Sequence, residues 1–304
     1  MRKLVYITSP SYSGSTLLTF LLAGHESIAT VGELKATAMG RIDCYRCSCG
    51  AFIRECGFWK AVSEELGRQG VGFDVSSFGT HFEPPAGHEW SRPLFTARVR
   101  GGLLEGVREL GIRSVPGLRS SLEAVVERNR ALIEAVCTIR GAECFLDGSK
   151  DPVRLKFLLA AGHWDVKVVH LTRDGRGACN SFMRVYSAGM AEAALEWRRT
   201  NEECERLTGT LPASRRLRLR YEDLCADTEA SLSSIYGLIG VGRPERREDF
   251  RNIEHHILGN AMRLRPDSRI RQDEKWRSSL SRRDLDTFDE VAGELNRRYG
   301  YTAA

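Results

Sequence analysis

No apolar run in this 304-residue chain approaches the about 18 residues that a membrane-spanning helix needs. Met1-Arg2-Lys3 is followed only by the short run Leu4 to Ile7, which is too brief for the core of a secretory signal, so a cytoplasmic location is expected. An excess of either charge is also lacking. The 45 Lys+Arg residues against 40 Asp+Glu leave a net charge of +5, which argues against nucleic acid as a partner and suits a small anionic ligand. Lysine is scarce, with seven residues against an arginine majority, so phosphate and carboxylate recognition falls to bidentate guanidinium groups. The nine cysteines are odd in number and unevenly spread, which argues against a secreted disulfide scaffold. There is no internal repeat and no low-complexity segment.

What is present is the composition of a soluble globular protein, 42% hydrophobic and 28% charged, in a chain long enough for a full α/β core. The most informative stretch lies at the N-terminus. Leu4 to Ile7 reads as a buried strand, Ser9-Pro10-Ser11-Tyr12-Ser13-Gly14-Ser15-Thr16 as a small-residue loop, and Leu17 to Leu22 as the opening of a helix. Strand, tight loop and helix N-terminus together make an anion cradle. The first helical N–H groups lack intrahelical acceptors, and the helix dipole favours negative charge there. Against G-x-x-x-x-G-K-[ST], Ser9 takes the first glycine, Gly14 the second and Thr16 the hydroxyl, but Ser15 stands in place of the lysine. The loop can hold phosphate without the lysine of an ATP or GTP hydrolase.

Further strands are expected at Ile28 to Val31, Cys144 to Asp147, Val166 to Leu171 and Leu217 to Tyr221. Helices are expected from Phe58 to Leu66, Ser120 to Thr138, after Pro152, through Ser181 and Met183, near 191–207, and up to Ile239 with Asp227 or Thr228 as cap. Residues 70–118, rich in Gly, Pro and aromatics, read as an insertion or lid within one domain spanning 1–304. Strand alternating with helix implies a parallel β-sheet flanked by helices on both faces. Ligands of such sheets bind beyond the carboxyl ends of the strands, where the loop at 9–16, Gly148-Ser149-Lys150 and Thr172-Arg173-Asp174-Gly175-Arg176 converge. Arg173 at a strand end, with Ser181 eight residues on, could clamp a second phosphate.

The early loop, the Arg173/Ser181 pair, Tyr221-Glu222-Asp223-Leu224 after a strand, and Lys275-Trp276 before Tyr299-Gly300-Tyr301 occur in an order that resembles the sulfotransferases. These enzymes use 3′-phosphoadenosine-5′-phosphosulfate (PAPS). Through Ser13-Gly14-Ser15-Thr16-Leu17-Leu18, Gly32-Glu33-Leu34 and Ser149-Lys150-Asp151-Pro152 the chain looks most like a bacterial branch akin to carbohydrate and tyrosyl-protein sulfotransferases. The resemblance implies a P-loop-like fold, PAPS as co-substrate, and sulfuryl transfer to a hydroxyl of a carbohydrate or small-molecule acceptor. It also assigns roles. Tyr12, Ser13, Gly14, Ser15 and Thr16 would hold the 5′-phosphosulfate, and Arg173 and Ser181 the 3′-phosphate. His256, Gly259, Asn260 and Arg263 would form a second cofactor-contacting loop, with Trp276 either beside it or in the core.

Glu33 would be the general base, with His25 as competitor, although a histidine near a helix C-terminus also caps. Where the family carries Arg or Lys before Ser13, this chain has Tyr12, so Lys150 is the cation expected to offset charge on the leaving phosphate. Two other readings stay open: a small-molecule P-loop kinase, for which Asp147 is the one fair Mg²⁺ carboxylate, and an inactive homologue that only binds PAPS or its product, adenosine 3′,5′-bisphosphate (PAP). Cys44, Cys47, Cys49 and Cys56 give C-x2-C-x-C-x6-C. Free or paired thiols packing a loop are the favoured reading over a structural zinc knuckle, because the spacing is not a pair of C-x2-C hooks.

Overall fold

The computed structural model describes residues 1–38, 45–98, 102–244, 249–250, 255–264 and 268–302. Five parallel strands, β1 (Arg2–Thr8), β2 (Ile28–Thr30), β3 (Cys144–Lys150), β4 (Trp164–Thr172) and β5 (Arg216–Arg220), form one sheet in the order β2-β3-β1-β4-β5. The helices are α1 (Ser15–Ala23), α2 (Gly57–Arg68), α3 (Arg92–Thr96), α4 (Gly102–Ser114), α5 (Pro116–Arg140), α6 (Pro152–Ala161), α7 (Gly175–Tyr186), α8 (Met190–Gly209), α9 (Tyr221–Ala226) and α10 (Thr228–Ile239), followed by a short helix at Trp276–Ser279 and a helical run over 282–298 that carries a π turn at Asp289–Gly293. No described helix is long and apolar enough to cross a membrane.

The period-2 alternation of the strands explains the layering. Leu4, Tyr6, Phe145, Val166 and Val168 face one side and pack with α2, α5 and α6. Val5, Ile7, Leu146, Val169 and Leu171 face the other and pack with α1 and α10. A third cluster joins α7 and α8 to Phe288, Leu295 and Tyr299. Buried on both faces, the central strands are continuous apolar runs, which is why the sequence makes them visible. Asp227 caps α10 by accepting from Ala230 N at 2.9 Å.

Part of the segment expected as an insertion belongs to the core. Val75, Phe78, Phe82 and Phe95 are buried with the β3 side of the sheet. The carbonyl of Thr80 accepts from Arg154 Nη1 at 2.6 Å and from Asn129 Nδ2 at 3.0 Å. Arg154 in turn pairs with Asp147 at 2.9 Å, both fully buried. One ion pair therefore ties the end of β3 to α6, α5 and residues 75–96. Isolated from water, it is a pair in which neither member can be lost cheaply.

Candidate functional site

The site lies at the carboxyl end of β1, between the ends of β3 and β4, where the chain leaves the sheet at three places. β1 ends at Thr8, opposite Lys150 of β3 and His170 of β4. Between Tyr6 and Thr8 the register slips, so β3 carries an extra residue there. Such a bulge turns a strand end and re-aims its side chains. Lys150 sits at φ +69°, and its carbonyl accepts from Ser9 N at 3.2 Å and Thr8 Oγ1 at 3.1 Å, which pins the strand ends together. The Lys150 ammonium donates to Glu33 Oε1. Glu33 follows β2, and its side chain is packed against Gly259, where an added Cβ would lie 2.7 Å from Oε1. Gly259 has φ +115°, so glycine is required there twice over.

The loop after β1 wraps the N-terminus of α1. Gly14 is the N-cap at φ +92° with no side-chain cap, and an added Cβ would lie 2.4 Å from the Tyr221 ring. Ser13 and Ser9 are buried, and neither Oγ has a hydrogen-bond partner among the described residues. A buried hydroxyl left unpaired costs about 1–3 kcal/mol, which a bound acceptor would recover. Together with the N–H groups of the first turn of α1, these hydroxyls fit an anionic group. Ser15 is buried and Thr16 half-buried in that same turn.

Tyr12, also left-handed at φ +65°, brings no cation: its ring packs edge-on against Phe182 and Tyr186 of α7, and burial pushes its phenol up to about 12. It stays neutral at any physiological pH. Its carbonyl accepts from Arg173 Nη1 at 2.8 Å. Arg173 also donates to the Asp273 carbonyl at 2.8 Å, lies 3.6 Å from the Asp273 carboxylate, and stacks 4.7 Å above the Tyr221 ring. Ser181 donates to the carbonyl of Gly177 at 3.2 Å, and an added Cβ on Gly177 would lie 3.1 Å from Arg173. Both residues of the pair read from the sequence thus neighbour Gly177, Ser181 through the i−4 bond of its own helix, and Arg173 lies by a segment whose Arg271 and Asp273 backbones bond the Tyr221 hydroxyl at 3.2 Å each.

Other expected residues are committed to structure. Arg263 donates to the carbonyls of Gly259 at 2.7 Å and Arg46 at 3.0 Å and stacks 4.1 Å over Tyr45. Asn260 is exposed and accepts from Met262 N at 3.0 Å. Trp276 packs on Arg176 at 4.3 Å and beside Gly177, at the start of α7. His25 is a buried cap, with Nδ1 accepting from Ser27 N at 3.0 Å and Nε2 2.9 Å from the Gly242 carbonyl. It precedes Ile28 at the amino end of the sheet, across from Cys144, and so lies at the opposite edge from Glu33. Asp147, the candidate metal carboxylate, is consumed by Arg154, Ser149 N and Leu34 N.

The family model described as "Sulfotransferase family" matches residues 85–245, more than half of the chain. The chain belongs to the sulfotransferase family. Among solved structures this sulfotransferase is similar to the sulfotransferase domain from the curacin biosynthetic pathway, at 16% identity and a TM-score of 0.55, covering 100% of this chain and 99% of the other. It is also similar to the sulfotransferase domain from the Synechococcus PCC 7002 olefin synthase, at 19% identity and a TM-score of 0.48, covering 99% and 96%. No curated protein matches it.

Two features of this sulfotransferase had no sequence signal. The phosphate-loop pattern uses Ser9 only as a stand-in for a glycine, yet its hydroxyl, like that of Ser13, is buried and unpaired among the described residues. His256 comes within 3.3 Å of Cys56 Sγ and 3.6 Å of Cys47 Sγ although it lies 200 and 209 residues from them in the chain. Only a fold can reveal a contact at that separation. Cys44 lies outside the described residues.

Proposed function

We propose that this sulfotransferase moves the sulfuryl group of PAPS to a hydroxyl of a carbohydrate or small-molecule acceptor, with Glu33 as general base and Lys150 as the charge-offsetting cation. The observation that carries this reading is the Glu33–Lys150 contact, made at the carboxyl edge of the sheet beside a helix N-terminus whose loop holds two unpaired buried hydroxyls. Base and cation are thus within reach of one reacting centre, as in-line transfer requires.

PAPS supplies an activated sulfuryl group and a phosphate leaving group. Ser9, Ser13 and the N–H groups opening α1 are the atoms of this chain that would hold its 5′ end, and Arg173 with Ser181 its 3′-phosphate. Glu33 takes the proton from the acceptor oxygen as that oxygen bonds to sulfur and the sulfur–phosphate oxygen bond breaks. Lys150, on the bulged end of β3, offsets negative charge on the departing phosphate. Tyr12 orients the loop through its backbone and supplies no charge. The kinase alternative loses its metal carboxylate, because Asp147 is buried against Arg154.

The test is single-turnover transfer from radiolabelled PAPS to acceptors drawn from a metabolite extract. Glu33→Gln keeps size and shape but cannot take a proton. It should lose about 10²–10⁴-fold in turnover with donor affinity nearly unchanged. A Glu33→Gln enzyme within a few-fold of wild type removes the base assignment; donor binding with no transfer to any acceptor by wild type favours the inactive homologue.

A further inference from the structure

Cys47, Cys49, Cys56 and His256 present three sulfurs and one imidazole nitrogen that all lie within 4.8 Å of one another. The contacts are 3.7 Å for Cys49 Sγ to Cys56 Sγ, 3.6 Å for Cys47 Sγ to His256 Nδ1, and 3.3 Å for Cys56 Sγ to His256 Nδ1. A tetrahedral ion with bonds of about 2.3 Å to sulfur and about 2.0 Å to nitrogen has edges of roughly 3.8 Å between sulfurs and roughly 3.5 Å between sulfur and nitrogen. These three contacts match those edges, and the remaining pairs lie within 4.8 Å. A disulfide would bring two sulfurs to about 2.05 Å and leave the other two ligands without a reason to converge.

The surrounding backbone is built to aim these atoms. Residues 45–53 fold back on themselves: Cys47 N donates to Ala51 O at 2.9 Å, Gly50 N to Cys47 O at 2.9 Å, and Ile53 N to Tyr45 O at 2.9 Å. Gly50 takes φ +91° at the tip. Cys56 is the N-cap residue of α2. His256 lies parallel to Phe58 with ring centroids 4.4 Å apart, which fixes its plane. Cys47, Cys56 and His256 are all buried, while Cys49 is exposed. The knuckle also grips the 255–259 segment directly: Ser48 Oγ donates to His255 O at 2.7 Å and accepts from Ile257 N at 2.8 Å, and Tyr45 OH accepts from Gly259 N at 2.7 Å.

We propose that Cys47, Cys49, Cys56 and His256 bind one structural zinc ion. The proposal departs from the thiol reading favoured from the sequence and puts His256, in place of Cys44, in the ligand set. A sulfur-rich tetrahedral set with all four positions filled by protein suits Zn²⁺ in a structural role, with no open position for a reacting water. On binding, three thiols lose their protons to water, no electron moves, and zinc bonds to three thiolates and one imidazole. The site joins segments far apart in the chain. Leu258 N donates to Val31 O at 2.7 Å, Glu33 N to Leu258 O at 3.4 Å, and Gly259 presses on the Glu33 side chain, so the ion anchors the wall behind that carboxylate.

Tag-free full-length protein, purified under reducing conditions from zinc-supplemented cells, should carry about one zinc per chain by elemental analysis. Zinc-edge X-ray absorption on that wild-type protein should show three sulfurs at about 2.3 Å and one nitrogen at about 2.0 Å. His256→Ala and Cys47→Ser should lose the metal, and Cys44→Ser should keep it. Stripping zinc from wild type with a chelator should lower Tm, and zinc alone should restore it. Protein that is reduced, folded and metal-free overturns the proposal, as does a Cys49–Cys56 disulfide found by mass spectrometry. A four-sulfur shell, or zinc lost in Cys44→Ser and kept in His256→Ala, overturns the ligand set. The absorption measurement needs no variant, so a misfolded His256→Ala leaves the test intact.

Discussion

At the scale of single residues, the site depends on positions where the backbone is held in conformations few side chains tolerate. Gly14 shows this most directly. Its φ of +92° alone disfavours any side chain, and a methyl group would also run into the Tyr221 ring at 2.4 Å. Left-handed strain costs about 1–3 kcal/mol, so Gly14→Ala should destabilise the fold by at least that amount in denaturant unfolding and should weaken nucleotide binding by displacing the loop. Adding Tyr221→Ala removes the collision but not the strain. The double variant should therefore recover only part of the binding lost in Gly14→Ala, beyond the loss from Tyr221→Ala alone. Full additivity of the two losses would show that the ring contact is unimportant. Lys150 is the second such residue. Its positive φ is imposed by the bulge of β3, which places its ammonium on Glu33.

At the scale of elements, β3 and β4 carry buried polar groups that make the sheet sensitive to substitution and to acid. Arg154 of α6 holds Asp147 of β3, Asn129 of α5 and the Thr80 carbonyl together. Arg154→Met keeps much of the volume but leaves the Asp147 carboxylate buried without its partner. A loss of about 3–5 kcal/mol is expected, read as a lowered denaturation midpoint with an unchanged m-value. A loss under about 1 kcal/mol would mean that water or a rearranged Asn129 replaces the guanidinium.

His170 of β4 is buried with Nε2 3.1 Å from Asn201 Oδ1, and burial pushes its pKa down from 6.5 to about 4. Between those values the unfolded chain binds a proton that the folded chain refuses. Its contribution is therefore fully present above about pH 6.5 and lost as pH falls toward 4, at up to about 1.4 kcal/mol per pH unit. His170→Gln should flatten the acid limb of the stability curve in that window, measured by urea unfolding at stepped pH. An unchanged limb would assign the acid sensitivity to other groups.

At the scale of the whole molecule, the parallel sheet gathers three strand ends that lie far apart in sequence. On the proposed reading, the Arg173 junction would add a second anion site to the loop at 9–16, and the two together would favour a ligand with phosphates at both ends. PAP should bind at micromolar strength and AMP much more weakly, and Arg173→Ala should erase the difference, because a bidentate guanidinium is the group that reads the second phosphate. Calorimetry checks this directly, and equal affinity of wild type for the two nucleotides would remove the two-site reading. Binding must also compete with the contacts Arg173 already makes to Asp273. Asp273→Ala, which deletes the competing carboxylate, should therefore tighten PAP binding while leaving AMP unaffected.

The apolar strand runs, the Ser/Gly loop and the strand–helix alternation were legible in the sequence because burial on both faces of a parallel sheet demands continuous hydrophobic stretches, and an anion cradle demands small residues. The central strands and the two-sided layering follow from those local demands, while the edge strand β5 shows instead as the alternation Arg216-Leu217-Arg218-Leu219-Arg220. The pairing of Glu33 with Lys150, the wall made by Gly259, the enclosure of Asp147 by Arg154 and the approach of His256 to the cysteines follow from no local rule. Each joins segments between seven and about two hundred residues apart, and depends on which side of a bulge or a left-handed glycine a side chain emerges. Residue chemistry and periodicity determined the sheet and its Ser/Gly loop; the tertiary structure decided which charged, thiol and imidazole groups meet, because only packing sets distances between segments that the chain itself leaves independent.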